Sequence, residues 1–313
     1  MSNPIQPNIQ NCCSNCLEEL VMPEARLKCG GCKKRIYCSK SCQKSDWIKG
    51  HNFWCCKAGE IGYDYEIKPS EKFGGFGVFA LRDFAKSEKI MAQRGIGVED
   101  FSSLTMVQKN FIQSLEPVES NLFAEKFDIN ALDCGFDTSH VICFHASRIN
   151  HQCPFVENCS HNWIKEHQIK IIYAKRDIKA GEELTISYID SFDKYDELKN
   201  KWGFDCVCDG CSEQNKLYSQ QIIKLNNFIT NHKISSDIRI KACEKLLDLY
   251  SSKNIPVMMY QRTFYDAYEL LWNSEQFIES KIYLCKCIDL EFEIFGFETL
   301  NLKMLKMKLA LFG

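Results

Sequence analysis

The hydrophobic positions of this 313-residue chain follow strand-like patterns through its middle and helical spacing towards its end. Residues 67–98 carry two strand patterns, FGVFAL and then KIMAQ after a charged turn. Leu104, Val107, Phe111 and Leu115 stand at helical spacing, which predicts a helical stretch over 101–133. Strand character returns at HVICFHA and at IKIIYAKRDI, and AGEELTISYI follows a turn built on Gly181. A short helix is predicted over 193–202, ended at Gly203. From Ser212 onward the period is helical in about five segments, among them KACEKLLDLY, FYDAYELLW, SKIYLCKCIDLEFEIF and TLNLKMLKMKLALF. The Met, Leu and Phe stripes on these segments are assigned to core packing. Paired helices of this size suggest degenerate repeat units, although no clean internal repeat is present.

Residues 1–11 are polar with two prolines and are expected to be disordered. The stretch 12–56 has a different character, because cysteine replaces the usual apolar residues there. CSNC supplies Cys13 and Cys16, CGGC supplies Cys29 and Cys32, and Cys38, Cys42, His51 and Cys55 follow. Some forty-five residues bury too little apolar surface to hold a fold, so metal must stand in for the core. Thiolate and imidazole in pairs two to four residues apart are zinc ligands. Alternating pairs predict a cross-braced arrangement, with Cys13, Cys16, Cys38 and Cys42 on one ion and Cys29, Cys32, His51 and Cys55 on the other. Cys12 and Cys56 adjoin ligands and compete with them, but spacing favours Cys13 and Cys55. Both sites have four protein ligands and no open position, which makes them structural. A third group, CVCDGC at Cys206, Cys208 and Cys211, still needs a fourth ligand.

Composition adds little to this and removes several alternatives. Apolar residues are 45% of the chain and charged residues 26%, ordinary for a globular protein with a core. A net charge of −2 argues against nucleic acid and membrane surfaces as partners. The basic run at 33–35 does not change this, since eight basic and four acidic residues over 12–56 are nearly balanced once seven thiolates and two zinc ions are counted. Nineteen cysteines would suit a disulfide scaffold, but MSNPIQPNIQN has neither the basic start nor the apolar centre of a secretion signal. No apolar run is long enough to span a membrane. The expectation is an intracellular protein, nuclear or cytoplasmic, with thiols kept for metal, and a monomer.

Four further motifs occur in order: GGFGVFA with Gly75, Phe76 and Gly77; SRINHQC ending at Cys153; GEELTISY ending at Tyr188; and WGFDCVCDGC from Trp202 to Cys211. Together they resemble the SET domain of protein lysine methyltransferases, and the cysteine module, with Tyr37 before Cys38, resembles the MYND zinc finger. The whole chain is therefore similar to the SET and MYND domain family. The resemblance implies an α+β fold: MYND finger at 12–56, SET domain at 57–200, zinc-binding segment at 201–213 and a TPR-like helical domain at 214–313. It implies an enzyme moving a methyl group from S-adenosylmethionine to a lysine of a histone or another protein. Gly75, Phe76, Gly77, Asn130, Asn150, His151, Tyr188 and Phe204 match family cofactor contacts, Tyr188 the catalytic tyrosine, and Trp202 a residue lining the lysine channel. Cys153 is implied as the fourth ligand of a third structural zinc, with Cys159 as its competitor. The finger is implied to dock proline-containing peptides.

The pattern departs from the family in three places. The finger precedes the glycine motif, whereas the family inserts it within the SET domain. The family's NHSCxPN becomes NHQCPFVENC, with Gln152 for Ser and Asn158 delayed. Trp202 stands where Tyr is usual. These departures keep a second reading open, in which the SET domain is an inactive scaffold in a zinc-dependent interaction adaptor.

Overall fold

The computed structural model describes residues 12–16, 18, 20, 26–52, 55, 64–97, 102, 104–115, 122–134, 140–189, 194–253, 255, 257–295 and 299–312. The polar 1–11 stretch and Cys56 lie outside the described residues. Two compact units form, one from Met1–Asn150 with Cys159–Ile186, the other from His151–Asn158 with Ser187–Gly313.

In the first unit, the finger opens with a two-stranded ribbon of β1 (Leu27–Lys28) and β2 (Ile36–Tyr37), followed by helix α1 (Lys40–Asp46). Ser39 caps α1 by accepting a hydrogen bond from Cys42 N at 3.1 Å. A five-residue π turn, Trp47–His51, continues α1. The finger's centre is polar: Arg35 donates twice to the Asp46 carboxylate, both at 2.9 Å, and Tyr37 Oη donates to it at 2.8 Å. Asp46 and Tyr37 are fully buried, and such a charge is tolerated only because every partner is in place.

Two antiparallel sheets follow. One orders β5 (Lys89–Arg94), β10 (Ile169–Ala174) and β9 (Cys159–Ile164), and the other β3 (Tyr65–Pro69), β4 (Phe76–Ala80), β11 (Glu183–Ile186) and β8 (Asn150–His151). A small ribbon pairs β6 (Leu132–Asp133) with β7 (His140–Val141). β10 is buried along its whole length, which explains its unbroken apolar run IKIIYA. Its one charge, Lys170, donates to the Asp133 carbonyl.

The helical stretch expected over 101–133 contains two helices among the described residues, α2 (Met106–Gln113) and α3 (Phe123–Asn130). Thr105 and Gln108 form a capping box that starts α2. Lys126 of α3, fully buried, donates to the carbonyls of Gln113, at 2.9 Å, and Leu115, so its ammonium satisfies the end of α2. HVICFHA is a strand only over His140–Val141. Beyond it, Gln93 Oε1 takes the amides of His145 and Ala146, both at 3.1 Å, and Ser147 Oγ takes that of Cys143. Side chains thus replace the ladder partners, and the chain turns instead of extending.

The second unit begins at the 151–158 segment and resumes after β11. Helix α4 (Tyr195–Trp202) ends at Gly203, whose φ of 76° is the left-handed cap predicted there. Five longer helices follow: α5 (Glu213–Thr230), α6 (Ser236–Ser251), α7 (Val257–Asn273), α8 (Phe277–Phe295) and α9 (Leu300–Leu309). Each packs mainly on its neighbour in sequence. Ile222, Cys243, Leu246, Tyr250, Ala267 and Leu271 fill one core, and Tyr268, Leu284, Cys287 and Leu305 a second. A buried carboxylate, Glu291, is held by Gln261, Thr299 and Asn301. No helix among the described residues is long and apolar enough to cross a membrane.

Candidate functional site

The three predicted ligand sets come together as three separate clusters. Cys13, Cys16, Cys38 and Cys42 form one, Cys29, Cys32, His51 and Cys55 the second, and Cys153, Cys206, Cys208 and Cys211 the third, each with its ligand atoms within 4.8 Å of one another. Four sulfurs about 2.3 Å from a tetrahedral zinc stand about 3.8 Å apart. The sulfur separations are of that order: 3.7 Å for Cys16–Cys38, 3.5 Å for Cys29–Cys55 and 3.8 Å for Cys208–Cys211. His51 presents Nε2 at 3.2 Å from Cys29 Sγ and 3.7 Å from Cys32 Sγ. These donors, thiolate and imidazole with no carboxylate, fit zinc. The competitors fall outside: Cys12 is buried beside the first cluster without joining it, and Cys159 begins β9, paired with Ala174.

In the first unit the glycine motif forms a turn into β4. Gly75 has φ 59°, a conformation that favours glycine, and Gly77 lies within the strand. A Cβ on Gly77 would stand 2.0 Å from Glu183 Oε1 and 3.0 Å from Asn150 Nδ2. Those atoms belong to a network: Asn150 Nδ2 donates to Glu183 Oε1 at 2.7 Å and to the Phe76 carbonyl at 3.1 Å, and Ser70 Oγ donates to Glu183 Oε2 at 2.9 Å. Asn150 therefore clasps the glycine turn. Arg148 lies over the rings of Phe76 and Phe111, 5.6 Å and 5.3 Å from their centroids, and donates to Ser114 Oγ. Asn130 ends α3, and its amide donates to the Lys126 carbonyl at 2.8 Å. Glu183 and Ser70 were not among the predicted site residues. The acidic pair after Gly181 was the available signal for Glu183.

In the second unit the aromatic residues gather. His151 and Tyr188 have ring centroids 5.1 Å apart, His151 and Phe204 5.8 Å, and Tyr188 and Trp202 5.3 Å. His151 Nδ1 accepts the Tyr188 amide at 3.0 Å. An accepting Nδ1 leaves the ring proton on Nε2, which faces Cys153 Sγ at 3.5 Å. Burial pushes the His151 pKa down to about 4, so the ring is neutral. One imidazole thus ties the metal cluster to the backbone of Tyr188. The same cluster packs against Ile189, Leu198, Tyr195 and Phe204. The only space for a side chain at Gly210 is taken by Cys153 and Val156, whose atoms would lie 2.8 Å from an added Cβ. This unit offers a cationic ligand an aromatic surface whose rings are held by packing around the metal cluster. An electron-rich surface of that kind fits a sulfonium.

The sequence comparisons agree with this arrangement. The SET domain family matches residues 75–189 and the MYND finger family residues 13–55, so the finger precedes the SET match. Histone-lysine N-methyltransferase SMYD3 of Homo sapiens is 28% identical over 233 residues, covering 65% of this chain and 52% of its own length. SET domain and MYND-type zinc finger protein 6 of Schizosaccharomyces pombe is 30% identical over 229 residues, covering 65% and 44%. N-lysine methyltransferase SMYD2-B of Xenopus laevis is 27% identical over 223 residues, covering 62% and 50%. The chain spans about half the length of these curated relatives. The chain thus carries a MYND finger followed by a SET domain on one polypeptide.

Proposed function

We propose that this protein is a protein-lysine N-methyltransferase that uses S-adenosylmethionine, with a histone or other protein as substrate. The observation that carries the reading is the aromatic group of His151, Tyr188, Trp202 and Phe204 built against the Cys153–Cys206–Cys208–Cys211 cluster. The bound cofactor supplies an electrophilic methyl group on a positively charged sulfur. Phe204 offers a ring face to that charge. Gly75, Phe76, Gly77, Asn130, Asn150 and His151 take the cofactor roles that their family matches imply. A lysine amine has an ordinary pKa of about 10.4 and is protonated at neutral pH. Trp202 and Tyr188 would exclude water around it, disfavour the ammonium form and so expose the nucleophilic lone pair. The Tyr188 hydroxyl orients that amine, and most of the rate comes from alignment. Zinc at all three clusters is structural. The domain limits expected from the sequence, and docking of proline-containing peptides on the finger, belong to the same proposal.

The test is methyl incorporation into mixed protein substrates by the zinc-loaded chain and by Tyr188→Phe. The turnover number is expected to fall at least about a hundredfold with little change in thermal unfolding, as for loss of a positioned catalytic group. An unchanged turnover number would remove Tyr188 from this role. One observation favours the second reading, an adaptor with an inactive SET scaffold: the Trp202 indole packs against the Tyr188 ring, tilted at 39° with centroids 5.3 Å apart. Calorimetric titration with S-adenosylmethionine separates the two. Absence of binding to zinc-loaded, folded protein leaves the adaptor.

A further inference from the structure

A cavity of about 410 Å³ in the first unit lies between the finger and the edge strand β5. None of the glycine turn, Asn130 or Asn150 lines it, although Cys13 and His51, one ligand from each finger cluster, do. Its volume is within the usual range for a small-molecule pocket. Three of its walls carry polar atoms that the protein leaves unsatisfied: Arg94 Nη2, Arg35 Nε and Asn15 Oδ1, all buried without a hydrogen-bond partner. Arg35 is 6% exposed and spends its Nη1 on Asp46. That ion pair, with Tyr37 also on the carboxylate, consumes the one acid that lines the cavity. Arg94 is therefore a cation in excess. Burial lowers its pKa, and the attraction of Asp46 is countered by the repulsion of Arg35. Lys49 adds a second positive charge at the wall. Ile96, Leu104 and Phe144 add apolar lining.

Unsatisfied buried donors are rare in proteins because each costs its desolvation. Two guanidinium donors and a spare acceptor converging on one cavity form a recognition set for an anion that carries its own donor. We propose that this cavity binds a small anionic molecule, a carboxylate or phosphate with an adjacent hydroxyl, seated on Arg94 and Arg35 with its body against Phe144. The site also spans finger and sheet, so occupancy fastens the finger to the sheet.

The zinc-loaded chain is titrated with inorganic phosphate in one series and malate in another, at constant ionic strength, by calorimetry and thermal unfolding. A saturable heat and a rise in Tm are expected in at least one series, which identifies the head group. Arg94→Gln is expected to weaken that binding about tenfold or more, the loss of one charge-assisted bond. In buffer without either anion, Arg94→Gln should melt no lower than the parent chain, since it removes an uncompensated buried charge. Lys49→Gln, at an exposed position, should weaken binding several-fold at low salt and less at high salt. No saturable response in either series overturns the proposal, as does an Arg94→Gln chain that binds as the parent does or is markedly less stable without anion.

Discussion

Gly77→Ala is a small change that the structure predicts to be costly. The new methyl carbon would stand 2.0 Å from Glu183 Oε1, a separation that unbonded atoms do not reach. Strand β4 is fixed on both sides by β3 and β11, so the carboxylate must give way. Its retreat breaks the Asn150 bond at 2.7 Å and the Ser70 bond at 2.9 Å. Hydrogen bonds to a charged group contribute about 1.5–3 kcal/mol each, and partial exposure of Glu183 lets water recover part of that. Replacing glycine in a strand returns about 0.5–1 kcal/mol. The net expectation is about 2 kcal/mol of destabilisation. Because the chain has two units and bound metal, whole-chain unfolding is a poor measure, and amide hydrogen exchange in β4 and β11 of the zinc-loaded protein reports it locally. A double-mutant cycle with Glu183→Ala isolates the clash. Once Glu183 is truncated, Gly77→Ala should instead return about 0.5–1 kcal/mol, a coupling of about 2.5–3 kcal/mol. Coupling under about 0.5 kcal/mol would refute the claim that Glu183 is what keeps position 77 a glycine. Under the proposed function, the same substitution unseats Asn150 and lowers cofactor affinity.

Cys208→Ala should reduce bound zinc from three ions to two and raise hydrogen exchange around Tyr188, because His151 links that amide to the cluster; a count still at three would contradict the ligand set. His145 gives a pH dependence. Burial, with the Arg148 charge second, holds its pKa down to about 4, and its Nδ1 hydrogen-bonds Tyr65 Oη at 2.6 Å. A folded pKa below the unfolded value of about 6.5 contributes stability that is complete above that pH and lost as pH falls towards 4. Amide protection around His145, corrected for the intrinsic exchange rate, should therefore fall more steeply between those limits in the parent than in His145→Gln. Parallel curves would show that His145 is not the group responsible.

The metal clusters were legible because ligand chemistry writes itself as spacing: pairs two to four residues apart meet readily at a tight turn. The C-terminal helices were legible because they are long and packed on one face. β10 showed itself by a run of apolar residues that burial on both sides requires. Other parts depended on partners distant in sequence. β9, CSHNWI, is polar at Ser160, His161 and Asn162, and only pairing with β10 makes it a strand. HVICFHA looked extended until Gln93, some fifty residues earlier, took two of its amides. The resemblance implied Cys153 as the fourth ligand with Cys159 in competition, and the fold put the first beside Cys211 and the second in a sheet. Glu183 was not singled out in the sequence, because its role depends on a glycine a hundred residues away.

The π turn at Trp47–His51 has a consequence for how the finger tolerates change. Trp47 sets its ring edge-on to His51 with centroids 5.6 Å apart, whereas Ile48 is 66% exposed and its identity is loosely constrained. The number of residues is not. Removing one residue there would tighten the coil and swing His51 about 100° around the axis, off its metal. Codon substitutions at Ile48 should survive where single-codon deletions in this stretch do not.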